Sequence, residues 1–341
     1  MRLIDANKIY DAVERRYQVS SGIEHRCERD LLELICLSET VDAAPVKHGK
    51  WIENVDMIAR VFPRKTAASP TDELAFFAEP TIEAIATCIR RNVHAVHISV
   101  TFTYDLERAE ELYEAWQILG VPVEVGGPAF DDRMGDFVPG LYLRDGLIFT
   151  SRGCTKDCWF CSVPRCAHGV VRELPVVDGW NIMDDNILAT SEQHFRAVCE
   201  MLKRQKHRAV FSGGLEPALL QQWQADLLKE VNPARIYAAY DTKDDLEPLI
   251  EMGNKLRQAG FRASSHSLMC YVLIGYDGDS FDDAEKRLLQ TMQAGFVPYA
   301  MLYRDESGNT DKEWRRFQRE WCRPTIVGKK FREFCKKENK P

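Results

Sequence analysis

The sequence predicts an α/β protein: an incomplete barrel of six parallel strands, preceded by a small parallel α/β domain and a short helical N-terminal appendage. Three observations predict it. From residue 146, strand-like runs recur at GLIFTS, NIMDDNIL, AVFSGG, RIYAAYD, CYVLIGYDG and VPYAMLYRD. After the second run, the helical stretches SEQHFRAVCEMLKRQ, EPALLQQWQADLLKEV, DDLEPLIEMGNKLRQAG and FDDAEKRLLQTMQAG separate them, and strands joined by helical crossovers run parallel. Polar residues and glycines collect where these strands end, the edge at which parallel barrels build their sites.

Taken in order, residues 1–52 form the expected appendage. Asp5 can cap a helix whose apolar positions Ile9, Val13 and Tyr17 fall at helical spacing, a second helix is expected at LLELICL, and Pro45 and Gly49 mark a linker. Cys27 and Cys36 are read as core residues. The stretch from LIDANKIYDAVE to VDAAPVKHGKWIE resembles a segment common at the start of small phage and prophage proteins, which suggests ancestry and little chemistry. Residues 53–143 read as a compact α/β unit. Its strands are MIARVFP, AVHISVTF and VPVEVGG, and its helix DLERAEELYEAWQILG carries Leu106, Ala109, Leu112, Tyr113 and Trp116 on one face. Strand–helix–strand order gives a Rossmann-like parallel sheet. Residues 144–310 carry the barrel repeats, with an irregular connection from Cys161 to Trp180 that is too rich in Pro, Gly and Val for a clear helix. Residues 311–341 form a basic, aromatic helical tail.

Composition narrows the class. The 341 residues are 45% hydrophobic and 28% charged with a net charge of −7, an ordinary balance for a soluble protein. No apolar run approaches a membrane span, and the charged N-terminus lacks the apolar core of a secretion signal. Eleven cysteines in such a chain imply a reducing, cytoplasmic setting with ligand or reactive thiols. From Asp311 to Pro341, eleven Lys and Arg face five Asp and Glu, which hints at an anionic partner. Trp314, Phe317 and Trp321 fall on one face of WRRFQREW. Aromatics among basic residues can bind single-stranded nucleic acid, but an aromatic stripe packed on the barrel is the preferred reading.

The stretch TSRGCTKDCWFCSVPR places Cys154, Cys158 and Cys161 in a C-x3-C-x2-C pattern directly after a strand-like run. Unrelated buried cysteines would leave that spacing a coincidence. Structural zinc needs four ligands, and Cys166 or His168 could complete the set. Three thiolates on a four-iron cluster leave one iron open to a ligand. This last arrangement is preferred, because the pattern, with the aromatic Phe160 before the last cysteine, resembles the signature of the radical S-adenosylmethionine (SAM) superfamily.

That resemblance implies an incomplete (β/α)6 TIM-like barrel, a 4Fe-4S cluster on Cys154, Cys158 and Cys161, and SAM as co-substrate. It implies reductive cleavage of SAM to a 5′-deoxyadenosyl radical, for hydrogen abstraction or methyl transfer on an unknown substrate. A flavodoxin or ferredoxin would supply the electron, and a nucleotide or nucleic acid, held through the basic tail, is a candidate substrate. SGGLEP resembles the family's GGE motif with one residue inserted. Ser212, Gly213, Gly214 and Glu216 would then meet SAM, with Glu216 receiving its ammonium, or Glu216 simply starts the following helix. Asp241 either bonds the ribose hydroxyls or acts as an N-cap. GYDG, with Gly275 and Tyr276, resembles the family's adenine platform. Asp184 and Asp185 are candidates for substrate or proton handling, with surface capping as the other reading for one of them. The block from VHISVTF to VEVGGPAF resembles the N-terminal domain of cobalamin-dependent radical SAM enzymes in shortened form. The D-x-H-x-x-G motif is absent, His94 and His97 read as core histidines, and any cobalamin would bind without protein histidine on cobalt. The reading from a different class is a non-catalytic iron–sulfur or zinc protein that senses redox state or binds a partner.

Overall fold

The computed structural model describes residues 57–130, 141–262, 266–304 and 310–338. The helices expected within residues 1–52, with Cys27 and Cys36, lie outside the described residues. The chain is α/β with parallel sheets and divides into two compact units, one ending at Asp132 and the other starting at Arg133.

The first unit is a four-stranded parallel sheet. Its strands are β1 (Ile58–Val61), β2 (Ala75–Phe76), β3 (Ala95–Ser99) and β4 (Val123–Gly126), in the spatial order β2-β1-β3-β4. Helices α1 (Ile82–Arg90) and α2 (Leu106–Trp116) complete it. All four β1 residues are buried, while β3 alternates, as expected of a central strand and of one with a half-open face. Thr81 starts α1 by accepting from the Ala84 amide at 3.2 Å, a side-chain cap. On α2, Ala109, Leu112 and Trp116 are buried, whereas Tyr113 is exposed. The apolar stripe therefore follows i, i+3, i+7 and excludes the tyrosine expected on it. His94 is exposed, and His97 lies half-buried with Nε2 3.7 Å from Glu124 Oε2. Neither is the core histidine that the sequence suggested.

The second unit holds a six-stranded parallel sheet whose spatial order follows the chain. It comprises β5 (Leu147–Ile148), β8 (Asn181–Ile182), β9 (Val210–Leu215), β10 (Arg235–Tyr240), β11 (Leu268–Ile274) and β12 (Val297–Leu302). Between β5 and β8 the chain makes an antiparallel pair, β6 (Ser151–Arg152) with β7 (Arg172–Glu173), and one short helix, α3 (Val163–Ala167). From β8 onward each crossover carries a long helix: α4 (Glu192–Lys203), α5 (Gln222–Val231), α6 (Leu246–Gln258) and α7 (Phe281–Gln293). NIMDDNIL, expected as one strand, keeps only Asn181–Ile182 in the sheet, and Ile187–Ala189 turn as a 3-10 helix.

Two helices follow the last strand, α8 (Lys312–Cys322) and α9 (Pro324–Glu338). Phe195, Phe211, Ile236, Leu249, Val272, Leu288 and Phe296 form one apolar core with Trp321, Val327 and Phe331 from these last helices. Fully burying each such side chain contributes about 1.5–3 kcal/mol. Trp314 and Phe317 pack against the same core, with ring centres 4.3 and 5.4 Å from that of Phe281. The aromatic stripe of the tail is therefore packing surface.

Candidate functional site

The cysteine loop leaves β5 through Thr150 and is gripped by three consecutive residues that follow β8. Asp184 is 1% exposed, and its carboxylate accepts from the Thr150 amide and the Thr150 hydroxyl at 2.6 Å each and from the Ser151 hydroxyl at 2.8 Å. Burial raises its pKa above the usual carboxylate value, against the pull of those hydrogen bonds. Asp185 accepts from the Gly153 amide at 2.8 Å, and its carboxylate lies 3.3 Å from Arg152 Nε. The Arg152 guanidinium in turn stacks over the Phe149 ring at 4.3 Å. Asn186 donates through Nδ2 to Cys154 Sγ at 3.6 Å, while its buried Oδ1 has no hydrogen-bond partner. Neither aspartate is a surface cap.

The three cysteines are half-buried. Cys154 Sγ accepts from the Lys156 amide and Cys161 Sγ from the Val163 amide, both at 3.4 Å. Burial pushes the Cys158 thiol up to about 11, with the Lys156 ammonium opposing it. Among the described residues, no three His, Cys, Asp or Glu side chains are grouped as a ready-made metal site. The chemistry of the donor set nonetheless suits a thiophilic metal. Three thiols share one loop, and N–H groups aimed at two of the sulfurs stabilise thiolates as they form.

Opposite the loop, β9 bulges. Its residues Phe211 and Leu215 pair with Ile236 and Ala238, so three residues, Ser212, Gly213 and Gly214, span where β10 has one. Ser212 donates to Asn181 Oδ1 at 2.6 Å, and its carbonyl accepts from the Tyr271 hydroxyl at 3.0 Å. A Cβ on Gly213 would lie 2.0 Å from the Asp184 carbonyl oxygen, so this glycine answers to the neighbouring backbone. Gly214 differs. Its φ of +95° requires glycine, and the nearest atom a Cβ would meet is 4.0 Å away on Tyr271, so the backbone there is open to a ligand.

The bulge sends Leu215 into the core, 1% exposed, and leaves Glu216 on the side of the cysteine loop. Glu216 does precede a 3-10 turn, Pro217–Leu219, as its N-cap residue, but its side chain makes no capping hydrogen bond, and α5 starts only at Gln222, capped by Gln221 and Gln224. Instead its Oε1 lies 3.0 Å from Lys156 Nζ. The contact pairs charges without hydrogen-bond alignment, and Oε1 is buried. Lys156 Nζ donates to Asp245 Oδ1 at 2.8 Å. Asp245 Oδ2 accepts from the Thr242 amide at 2.8 Å and the Asp241 amide at 3.1 Å. The turn after β10 is thus capped by Thr242 and Asp245, and the N-cap reading of Asp241 falls. Asp241 is pushed up to about 7 by burial and by the neighbouring Asp245 charge.

Above these charges lies an aromatic group. The ring centre of Trp159, 61% exposed, is 5.4 Å from that of Phe160, 5.7 Å from that of Tyr276 and 5.5 Å from that of Tyr303. The loop bearing Gly275 and Tyr276 is fixed by a buried ion pair: Asp279 accepts from the Gly275 amide and from Arg287, both at 2.8 Å. The Arg287 guanidinium lies 5.3 Å from the Tyr276 ring centre. The fold therefore gathers Phe160, Tyr276, Glu216 and the cysteines about one loop, with Asp184 and Asp185 beneath as supports. Lys156 and Asp245 escaped sequence reasoning. The one available signal was a lysine inside a cysteine-rich loop.

No protein-family model matches the chain, and no curated protein matches it.

Proposed function

We propose that the chain is a radical SAM enzyme in which Cys154, Cys158 and Cys161 hold a 4Fe-4S cluster and Glu216 receives the ammonium of SAM. The observation that carries the reading is Glu216, whose buried Oε1 lies beside the three-cysteine loop and already faces one ammonium, that of Lys156, at 3.0 Å without hydrogen-bond alignment. A carboxylate held in this way favours cations, and hydrogen bonds to a charged group contribute about 1.5–3 kcal/mol. A ligand ammonium would supply an aligned donor there. The in-order parallel sheet with helical crossovers supports an incomplete (β/α)6 TIM-like barrel, and residues 57–130 support a shortened Rossmann-like domain. Any cobalamin would bind without protein histidine on cobalt, since the D-x-H-x-x-G motif is absent and the domain is shortened.

Bound cluster and SAM together would supply one-electron reductive cleavage of the sulfonium, with the electron coming from a flavodoxin- or ferredoxin-type donor. The chain's own residues bind, orient and shield. Asp184 and Asp185 fix the loop backbone; in this reading Asp184 is a positioning residue and moves no proton. Gly214 leaves space for close backbone approach. Phe160 and Tyr276, with Trp159 and Tyr303, offer ring faces for adenine or substrate and keep water from the site. Asp241, protonated in part near neutral pH, can donate or accept toward a ribose hydroxyl.

Iron and sulfide analysis, with an assay for 5′-deoxyadenosine under anaerobic reducing conditions, tests the proposal. One four-iron cluster and SAM-dependent 5′-deoxyadenosine are expected. Stoichiometric zinc, or a cluster that never cleaves SAM, would favour the non-catalytic sensor or binding protein. Among the described residues no helix is long and apolar enough to cross a membrane.

A further inference from the structure

The cysteine loop carries one cation that the chemistry above does not use. Lys156 lies between Cys154 and Cys158 in sequence, yet its ammonium reaches the ends of β9 and β10. Its two contacts differ in kind. With Asp245 it makes a 2.8 Å hydrogen bond, whereas with Glu216 it pairs charge at 3.0 Å and leaves Oε1 without an aligned donor. Charge is also unbalanced. Two carboxylates, Glu216 and Asp245, contact this single ammonium, and Asp241 interacts electrostatically with all three. Such a group has room for a second cation, and Lys156 keeps its better partner when one arrives.

We infer that Lys156 is a specificity-determining residue: it is the resident cation of the Glu216 seat in the free protein and yields that seat to a ligand ammonium while remaining on Asp245. The inference rests on the proposed role of Glu216 as ammonium seat. Its consequence is a competition. A ligand with an ammonium displaces Lys156 from Glu216 and completes the charge balance. A ligand without one leaves the pair closed and gains nothing there, so the group reads the amino-acid end of a sulfonium nucleoside. Since the Lys156 side chain is 39% exposed, solvent weakens the competing pair, and the effect belongs at the modest end for an ion pair.

The test uses the full chain, reconstituted anaerobically, and two probes that are not sulfonium ions. S-adenosylhomocysteine keeps the ammonium and methylthioadenosine lacks it. Calorimetric titration of Lys156→Met should show S-adenosylhomocysteine bound roughly twofold to fivefold more tightly, with methylthioadenosine unchanged. Asp245→Asn should move S-adenosylhomocysteine the other way, because Lys156 then leans on Glu216 alone. Iron content and circular dichroism accompany each variant; if Lys156→Met does not fold, Asp245→Asn decides by itself. Unchanged or weaker binding to Lys156→Met, or unchanged or tighter binding to Asp245→Asn, overturns the inference. Failure of the underlying reading looks different: Glu216→Gln would bind S-adenosylhomocysteine as well as the wild type, or the wild type would bind neither probe, and the inference would fall with it.

Discussion

The six-stranded sheet has two dissimilar halves. From β9 to β12 the strands are six or seven residues long, alternate with ten- to thirteen-residue helices and share one apolar core. At β5 and β8 only two residues of each strand pair, and the connection between them holds a short antiparallel pair and a five-residue helix. Side-chain hydrogen bonds take over there. Asp184 and Asp185 together accept four bonds from the loop that carries the cysteines. Apolar burial is non-directional and makes a scaffold; directed bonds hold a loop in one geometry. The three cysteines sit on the half held by directed bonds.

The largest effect that could sharpen this contrast is all-or-none. Cys154→Ala, Cys158→Ala or Cys161→Ala should each abolish cluster binding, while Cys166→Ala leaves iron and sulfide content unchanged. Equal dependence on Cys166 would mean a closed structural site in place of an open iron.

Next come two substitutions of similar cost in opposite halves. Leu288→Ala, in the regular core, should destabilise by about 2–5 kcal/mol yet leave iron binding intact in the protein that remains folded. Asp184→Ala leaves three buried donors without their acceptor and should cost about 2–4 kcal/mol, with cluster incorporation falling as well. Urea denaturation and iron analysis on both variants compare the halves directly. Full iron retention in Asp184→Ala would erase the distinction.

Glu216 stands where the halves meet. Glu216→Gln should weaken SAM binding by about tenfold to a hundredfold with cluster content unchanged; equal affinities would remove Glu216 from the site. The last effect concerns pH. Asp241 has a folded pKa raised to about 7, so it binds its proton more tightly folded than unfolded. Stability from this group is present below the ordinary carboxylate range and is lost as pH rises from about 4 to about 7. Asp241→Asn should flatten that segment of the stability profile of the metal-free chain. A segment as steep as in the wild type would show that other groups produce it.

The regular half was legible in the sequence because its strands are long, its helices periodic and its caps ordinary. Ser191 and Ser280 accept from the His194 and Asp283 amides, as their positions before apolar runs suggest. The cysteine loop was legible by spacing alone. Two-residue strands such as β2 and β6 carry too little pattern to be seen. Helix α1 was overlooked although Thr81 precedes the buried positions Ala84, Ile85 and Cys88. The roles of Asp184 and of the Lys156–Asp245 pair were hidden for another reason. Their partners lie 34 and 89 residues away, beyond any local periodicity.

The shared core of the sheet and the last two helices has a consequence for how the protein is made. Val327 and Phe331 are integral to the packing around β12 and α8, so the second unit cannot close its interior until those residues have left the ribosome. Adding the residues between Cys161 and Phe331 takes roughly 10–30 s at ordinary rates of chain extension. Through that interval the three thiols stand on an unfinished domain. Thiols left on an open domain for that long are exposed to oxidation before the fold can shield them.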